Sequence, residues 1–232
     1  MKQKALALTL MLAILVLAST VILIVDFQLK LKGREANSVI ASSPRGEVAT
    51  SSSAPSAFPQ VDGIISRGEY AYLYRDPQNG MILYWRIDEG KGVIYLGLTS
   101  PLQGRVEISL EPTGPRMKGG DILVAYVKEG QIYARDDYAD QLTSHTPDPD
   151  LGGTDDILEK AGTSGPQGTT IELVRQLVPS DGFDKPIRPD NMPMRIQLAT
   201  AEFANFVGLY GDNWSTIEVN LYTGEAIQVP PP

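Results

Sequence analysis

The chain contains no cysteine and a single histidine, His145, in 232 residues. The first absence excludes disulfide scaffolds, cysteine zinc sites, iron–sulfur clusters and thiol nucleophiles, and it leaves the redox compartment unread. The second leaves no His-rich metal cage and no histidine relay beyond that one position. Basic residues are also scarce: 20 Lys and Arg face 28 Asp and Glu, for a net charge of −8. Nucleic acid is therefore excluded as a partner, because that affinity comes mainly from Lys and Arg neutralising phosphates. There is no P-loop, no Rossmann glycine series and no nucleophile set beside a base, so the chain is not expected to be an enzyme. Its length accommodates one medium domain plus extras.

Among the features present, one long apolar run dominates the start. Residues 5–25 carry no charge over 21 positions, enough for a helix rising about 1.5 Å per residue to cross a hydrocarbon layer of about 30 Å. The run continues past Ala18-Ser19-Thr20 into Val21-Ile22-Leu23-Ile24-Val25, where a cleaved signal peptide would have ended. The expected organisation is a short basic N-terminus at 1–4, a transmembrane anchor at 5–27, a flexible Ser-, Ala- and Pro-rich linker at 28–60, and a folded body at 61–232. Lys2 and Lys4 nearly balance Lys30, Lys32 and Arg34, so flanking charge does not set the orientation. In the body 14 Lys and Arg face 25 Asp and Glu, a balance of −11.

Within the body the apolar stretches are short and separated by Gly, Pro, Asn and Asp, at 71–74, 81–87, 93–98, 105–110, 122–127, 131–135, 169–177, 194–199 and 215–222. Each has strand length. Ile217-Glu218-Val219-Asn220-Leu221 and Val106-Glu107-Ile108-Ser109-Leu110 alternate strictly, which sends one face to a core and the other away from it. No stretch of the body keeps a helical period over three turns. The pattern predicts an all-β fold, an antiparallel β-sandwich behind one N-terminal transmembrane helix.

A series of phrases recurs in a set order: Val61-Asp62-Gly63-Ile64, Gly68-Glu69-Tyr70, Met117-Lys118-Gly119-Gly120-Asp121-Ile122, Asp136-Asp137-Tyr138-Ala139, Gly152-Gly153-Thr154-Asp155-Asp156 and Asp181-Gly182-Phe183-Asp184. The series resembles the DOMON domain family, of the membrane-tethered prokaryotic type. The resemblance implies a sandwich that holds haem b, a sugar or another small molecule between loops and one sheet, outside the cytoplasm. It also implies that Met117 is an axial ligand where haem is bound. A histidine late in the domain usually supplies the second axial bond, and the matching stretch 199–210 has none.

The remaining candidates come from the residues. His145 lies among turn formers in Ser144-His145-Thr146-Pro147 and is expected to be a solvated loop residue, with a haem-ligand role as the sharper alternative. Tyr126 and Tyr133 are amphipathic rings suited to line a cavity for a porphyrin or a sugar. Between Asp136 and Glu159 there are eight acids and no Lys or Arg. A hydrated loop is the plain reading of them, and calcium held by Asp148, Asp150, Asp155 and Asp156 is the sharper one. Arg175, within a strand, is expected to pair with Asp181 or Asp184.

Three functions stay open from sequence. One is a membrane-anchored extracytoplasmic ligand-binding module. Another is a b-type haem electron-transfer domain using Met117, an atypical second ligand and a membrane redox partner. The third is a structural or assembly domain with a vestigial pocket.

Overall fold

Strands with a period of two build two antiparallel sheets from the body. The computed structural model describes residues 58–114, 116–190, 192–208 and 210–230, and the backbone of 48–50, all within the unit Arg45–Pro232. The anchor expected at 5–27 lies outside them, as does most of the linker. Among the described residues no helix is long and apolar enough to cross a membrane.

In chain order the elements are β1 (Val48–Thr50), β2 (Tyr72–Arg75), β3 (Ile82–Asp88), β4 (Val93–Ser100), β5 (Val106–Leu110), β6 (Asp121–Lys128), β7 (Gln131–Tyr138), β8 (Thr146–Pro147), α1 (Asp148–Leu151), β9 (Ile157–Gly165), β10 (Gly168–Gln176), β11 (Met194–Thr200), β12 (Trp214–Val219) and β13 (Ala226–Val229). A six-stranded sheet runs β1-β2-β3-β4-β10-β9, and a seven-stranded sheet runs β13-β12-β11-β5-β6-β7-β8. The expected all-β sandwich is therefore present. β9, an edge strand absent from the sequence reading, is added to it.

The core between the sheets takes alternate residues from each strand: Leu83 and Trp85, Ile94, Leu96 and Leu98, Ile171 and Leu173 from one side, and Val106, Ile108 and Leu110, Leu123 and Ala125, Ile196 and Leu198, Ile217 and Val219 from the other. The Trp85 indole N–H donates to the Leu221 carbonyl at 2.9 Å, which satisfies the one polar group on that buried ring.

The same alternation sends other residues to the outer faces, and both outer faces are covered. On the six-stranded sheet, segment 58–70 packs Tyr70, Val61 and Ile65 against Val93, Tyr95 and Val174. Glu172 anchors that cover. It is fully buried and accepts hydrogen bonds from Tyr70 Oη at 2.7 Å and from the backbone N–H groups of Gly63 at 2.7 Å and Asp62 at 3.1 Å.

On the seven-stranded sheet the cover is made by loops at 111–120, 139–145 and 201–213. The last of these is tied down at its start. Arg105 N–H donates to the Phe203 carbonyl at 3.2 Å, and Ala201 N–H donates to the Arg105 carbonyl at 2.9 Å. A Cβ on Gly104 would stand 2.2 Å from the Ala201 carbonyl oxygen, so only glycine allows this approach. Gly104→Ala is expected to destabilise the domain by about 1–3 kcal/mol, the scale of overpacking, read as a lower urea midpoint.

Candidate functional site

Strand register lays out the floor of a cavity on the outer face of the seven-stranded sheet. Glu107 of β5 is opposite Ala199 of β11, and Ala199 is opposite Trp214 of β12. Directly opposed residues share a face, so the small Ala199 leaves a dip between a carboxylate and an indole. The cavity above it has a volume of about 140 Å³. Its walls come from the covering loops: Met117 from the first, Leu142 and His145 from the second, Gly208 and Tyr210 from the third.

Met117 stands where its flanking glycines allow a close turn. Gly119, at φ 78°, donates its N–H to the Ala139 carbonyl at 2.8 Å, and Gly120 donates to the Met117 carbonyl at 2.9 Å. The Met117 side chain packs on Ile122, Val124 and Ala139 at the edge of the cavity.

His145 overturns the expectation of a solvated loop residue, since its side chain is only 8% exposed. The reason lies in the dipeptide Asp136-Asp137. Alternation along β7 sends Asp136 between the sheets and Asp137 to the outer face, where it meets the second loop. His145 Nδ1 lies 2.5 Å from Asp137 Oδ2, and because a carboxylate only accepts, the imidazole is the donor. Arg135 donates to the same oxygen at 2.6 Å. The other ring nitrogen, Nε2, lies 3.8 Å from Glu107 Oε2 and belongs to the cavity wall.

Glu107 is buried and accepts a hydrogen bond from Tyr210 Oη. Burial raises its pKa, while His145, the Tyr210 hydroxyl and Arg105 oppose that rise. Tyr210 is pushed well above the usual phenol range by burial and by Glu107. Arg105 fixes the third loop over this pair, donating to the carbonyls of Gly208 at 2.6 Å and Asn205 at 3.2 Å with its guanidinium 4.3 Å from the Tyr210 ring centre.

Tyr126 and Tyr133 stand beside this cavity rather than in its wall. Their rings stack at 5.0 Å, Phe206 meets Tyr126 edge-on at 4.7 Å, and the Arg135 guanidinium lies 4.1 Å from the Phe206 ring centre. Neither ring is among the residues that line this cavity: Tyr133 faces solvent, and Tyr126 packs between it and Phe206. Gln197, Tyr210, Glu107 and Trp214 were missed as candidates. Glu107 and Gln197 carried one signal, a polar side chain on the strictly alternating outer face of a strand.

A second polar constellation closes one end of the core. Arg175 continues the Ile171 and Leu173 face of β10, Asp121 continues the Leu123 and Ala125 face of β6, and Asp136 continues the Ala134 face of β7. Arg175 Nη1 binds Asp121 Oδ2 at 2.6 Å and Nη2 binds Asp184 Oδ1 at 3.2 Å. The expected pairing with Asp184 is present, and Asp121 takes the place of Asp181. The four-acid calcium set does not assemble. Asp148 joins this end, Asp150 faces solvent from α1 and Asp155 from the segment before β9, and Asp156 accepts from Thr154 Oγ1 at 3.0 Å while its N–H donates to Asp136 Oδ2 at 3.0 Å.

Burial first, then the nearby Asp121 and Asp181 carboxylates, pushes Asp148 up to about 7 from 3.8. Burial and Asp121 likewise raise Asp136 and Asp184, against the pull of Arg175. These folded-state values lie above the unfolded value of 3.8, so the folded chain holds protons the unfolded chain has lost. With a chelator present, the unfolding free energy is expected to fall as pH rises from 3.8 through about 7 and beyond. A urea midpoint that climbs over that interval contradicts the assignment.

Residues 77–197 match the DOMON domain model. No curated protein matches the chain. Among solved structures, the cytochrome domain of Myriococcum thermophilum cellobiose dehydrogenase is similar at 12% identity and a TM-score of 0.47, over 68% of this chain and 83% of that one. Because the DOMON match takes in more than half of its residues, the chain belongs to the DOMON domain family.

Proposed function

We propose that the chain is a ligand-binding DOMON module, held at the cell membrane by residues 5–27 with the body outside the cytoplasm, and that its ligand is a b-type haem taken between Met117 and His145. The supporting observation is that the one histidine of the sequence lines the same cavity as Met117, although 27 residues lie between them in the chain. The donor chemistry fits: a thioether on one wall, an imidazole on another, and a carboxylate on the Nδ1 side. A carboxylate there fixes ring orientation and raises the basicity of Nε2, as in other metal-binding histidines. Haem held by Met117 and His145 would supply one-electron exchange, at a potential tuned by these residues and by the burial of the site. Glu107 and Tyr210 hold the remaining wall, and no catalytic step is assigned to them.

A volume of about 140 Å³ supports a second reading. Sites for drug-sized ligands occupy about 300–1,000 Å³, so a porphyrin requires the three loops to draw back from the sheet. A sugar or another small polar molecule fits with less movement, and Glu107, Gln197, Tyr210 and Trp214 offer hydrogen bonds and a stacking ring. Titration of the purified full chain with haemin separates the two. The haem reading expects saturation at one equivalent with a rise in melting temperature. Absence of any saturable spectral change, with stabilisation by a monosaccharide, favours the second. The location is tested by protease shaving of cells whose outer barrier is opened: removal of the body is expected, and full protection reverses the orientation.

A further inference from the structure

We propose that the acidic end of the core, remote in function from the loop cavity, binds a divalent cation of the calcium class through Asp121, Asp136, Asp148, Asp181 and Asp184. Asp121, Asp136 and Asp184 each place a carboxylate oxygen within 4.8 Å of the others, and Asp148, Asp181 and Asp184 do the same, so Asp184 joins two triads. The independent observation is the state of the individual oxygens. Asp121, Asp136, Asp148 and Asp184 are 1%, 1%, 1% and 6% exposed. Asp121 Oδ1, Asp136 Oδ1, Asp148 Oδ1 and Asp184 Oδ2 have no hydrogen-bond partner among the described residues.

Arg175 does not answer these oxygens. It takes Asp121 Oδ2 and Asp184 Oδ1, leaving the other oxygen of each carboxylate free. The Lys185 N–H goes to Asp121 Oδ2 as well, at 2.7 Å, and the Asp156 N–H goes to Asp136 Oδ2. Asp181 is held by Thr154, whose N–H and Oγ1 donate to Oδ2 at 2.8 and 3.0 Å, and by the Phe183 N–H, which donates to Oδ1 at 2.9 Å, while the orphan oxygens of the other four carboxylates remain. Buried acceptors left without donors are costly.

Calcium takes 6–8 oxygens at about 2.3–2.6 Å, which sets opposite ligands about 5 Å apart. Within each triad the carboxylate oxygens all lie within 4.8 Å of one another, close enough to share one such ion. The ligands come from separate segments, β6, β7, α1 and the 181–184 turn, an irregular source that suits the flexible shell of calcium better than the strict octahedron of magnesium. Asp181 is partly exposed and gives ion and water an approach from solvent. An ion here would tie α1, which begins three residues after His145, to the turn at 181–184.

The test is calorimetric titration of the chelator-treated full chain with CaCl2 and, separately, MgCl2, alongside thermal melts. One calcium per chain with a raised melting temperature is expected, with affinity at least tenfold above that for magnesium. Asp148→Asn and Asp181→Asn should each weaken calcium binding at least tenfold, while Asp155→Asn, in the exposed segment before β9, should leave it unchanged. Asp181→Asn keeps the comparison open if Asp148→Asn fails to fold, because Asp181 lies at the surface of the cluster. Absence of heat and of melting shift at about 10 mM calcium, above the usual range for extracellular sites, overturns the proposal. So does equal affinity for magnesium, or unchanged binding in a folded Asp148→Asn or Asp181→Asn variant.

Discussion

Arg175→Met is expected to lower the unfolding free energy by about 3–5 kcal/mol, the scale for removing one partner of a buried ion pair. Methionine fills much of the same volume beside Leu173, so the loss is electrostatic rather than a cavity effect. Arg175 is fully buried and makes ion pairs with Asp121 and Asp184. Its removal leaves Asp184 Oδ1 without its charged donor and takes the positive charge away from Asp136 and Asp121. Urea unfolding of the full chain reads the difference. A loss under about 1 kcal/mol would show that the carboxyls carry protons in place of charge and that the pairs contribute no more than an exposed bridge. Lower pH should soften the effect, since protonated carboxyls need the guanidinium less.

His145→Ala is expected to have the largest effect on ligand binding. Under the haem reading it removes the imidazole from the cavity wall, so haemin affinity should fall more than 100-fold, beyond the roughly 10–100-fold typical of losing an orienting partner. Asp137→Asn tests that orienting role by itself. The amide keeps the size of the side chain but loses the negative charge beside Nδ1 and Arg135, so affinity should fall by about 10–100-fold with the ring still present. A melting curve of each ligand-free variant separates binding from folding. Equal affinity in wild type and Asp137→Asn would mean that the Nδ1 contact only packs the loop.

Legibility in the sequence differed by region for physical reasons. The central strands were readable because both of their sheet neighbours are present and their alternate residues must be apolar, as in Val106-Glu107-Ile108-Ser109-Leu110. β9 was not, because an edge strand paired on one side has little core to fill, and Glu159, Lys160, Thr163 and Ser164 satisfy it equally well. The two-residue β8 and the short β13 lack the length for any period to appear. Met117 was a candidate through the family resemblance, and it borders the cavity. His145 was misread because Ser144, Pro147 and Pro149 mark a turn, and turns usually face water. What buries it is a long-range partner, Asp137, whose outward direction follows from alternation in β7 but whose contact with the loop does not. The calcium set differs for a related reason: nearness along the chain grouped Asp148 with Asp150, Asp155 and Asp156, whereas the fold groups it with Asp181 and Asp184.

The central claim is that Met117 and His145 face one ligand in the cavity over the seven-stranded sheet. Absorption spectra of the haemin-loaded full chain, oxidised and reduced, compared among wild type, Met117→Ala and His145→Ala, test it most directly. The account predicts a six-coordinate low-spin spectrum for wild type, a five-coordinate high-spin spectrum for Met117→Ala, and weak binding for His145→Ala. Haemin spectra and affinities unchanged in both variants would contradict it.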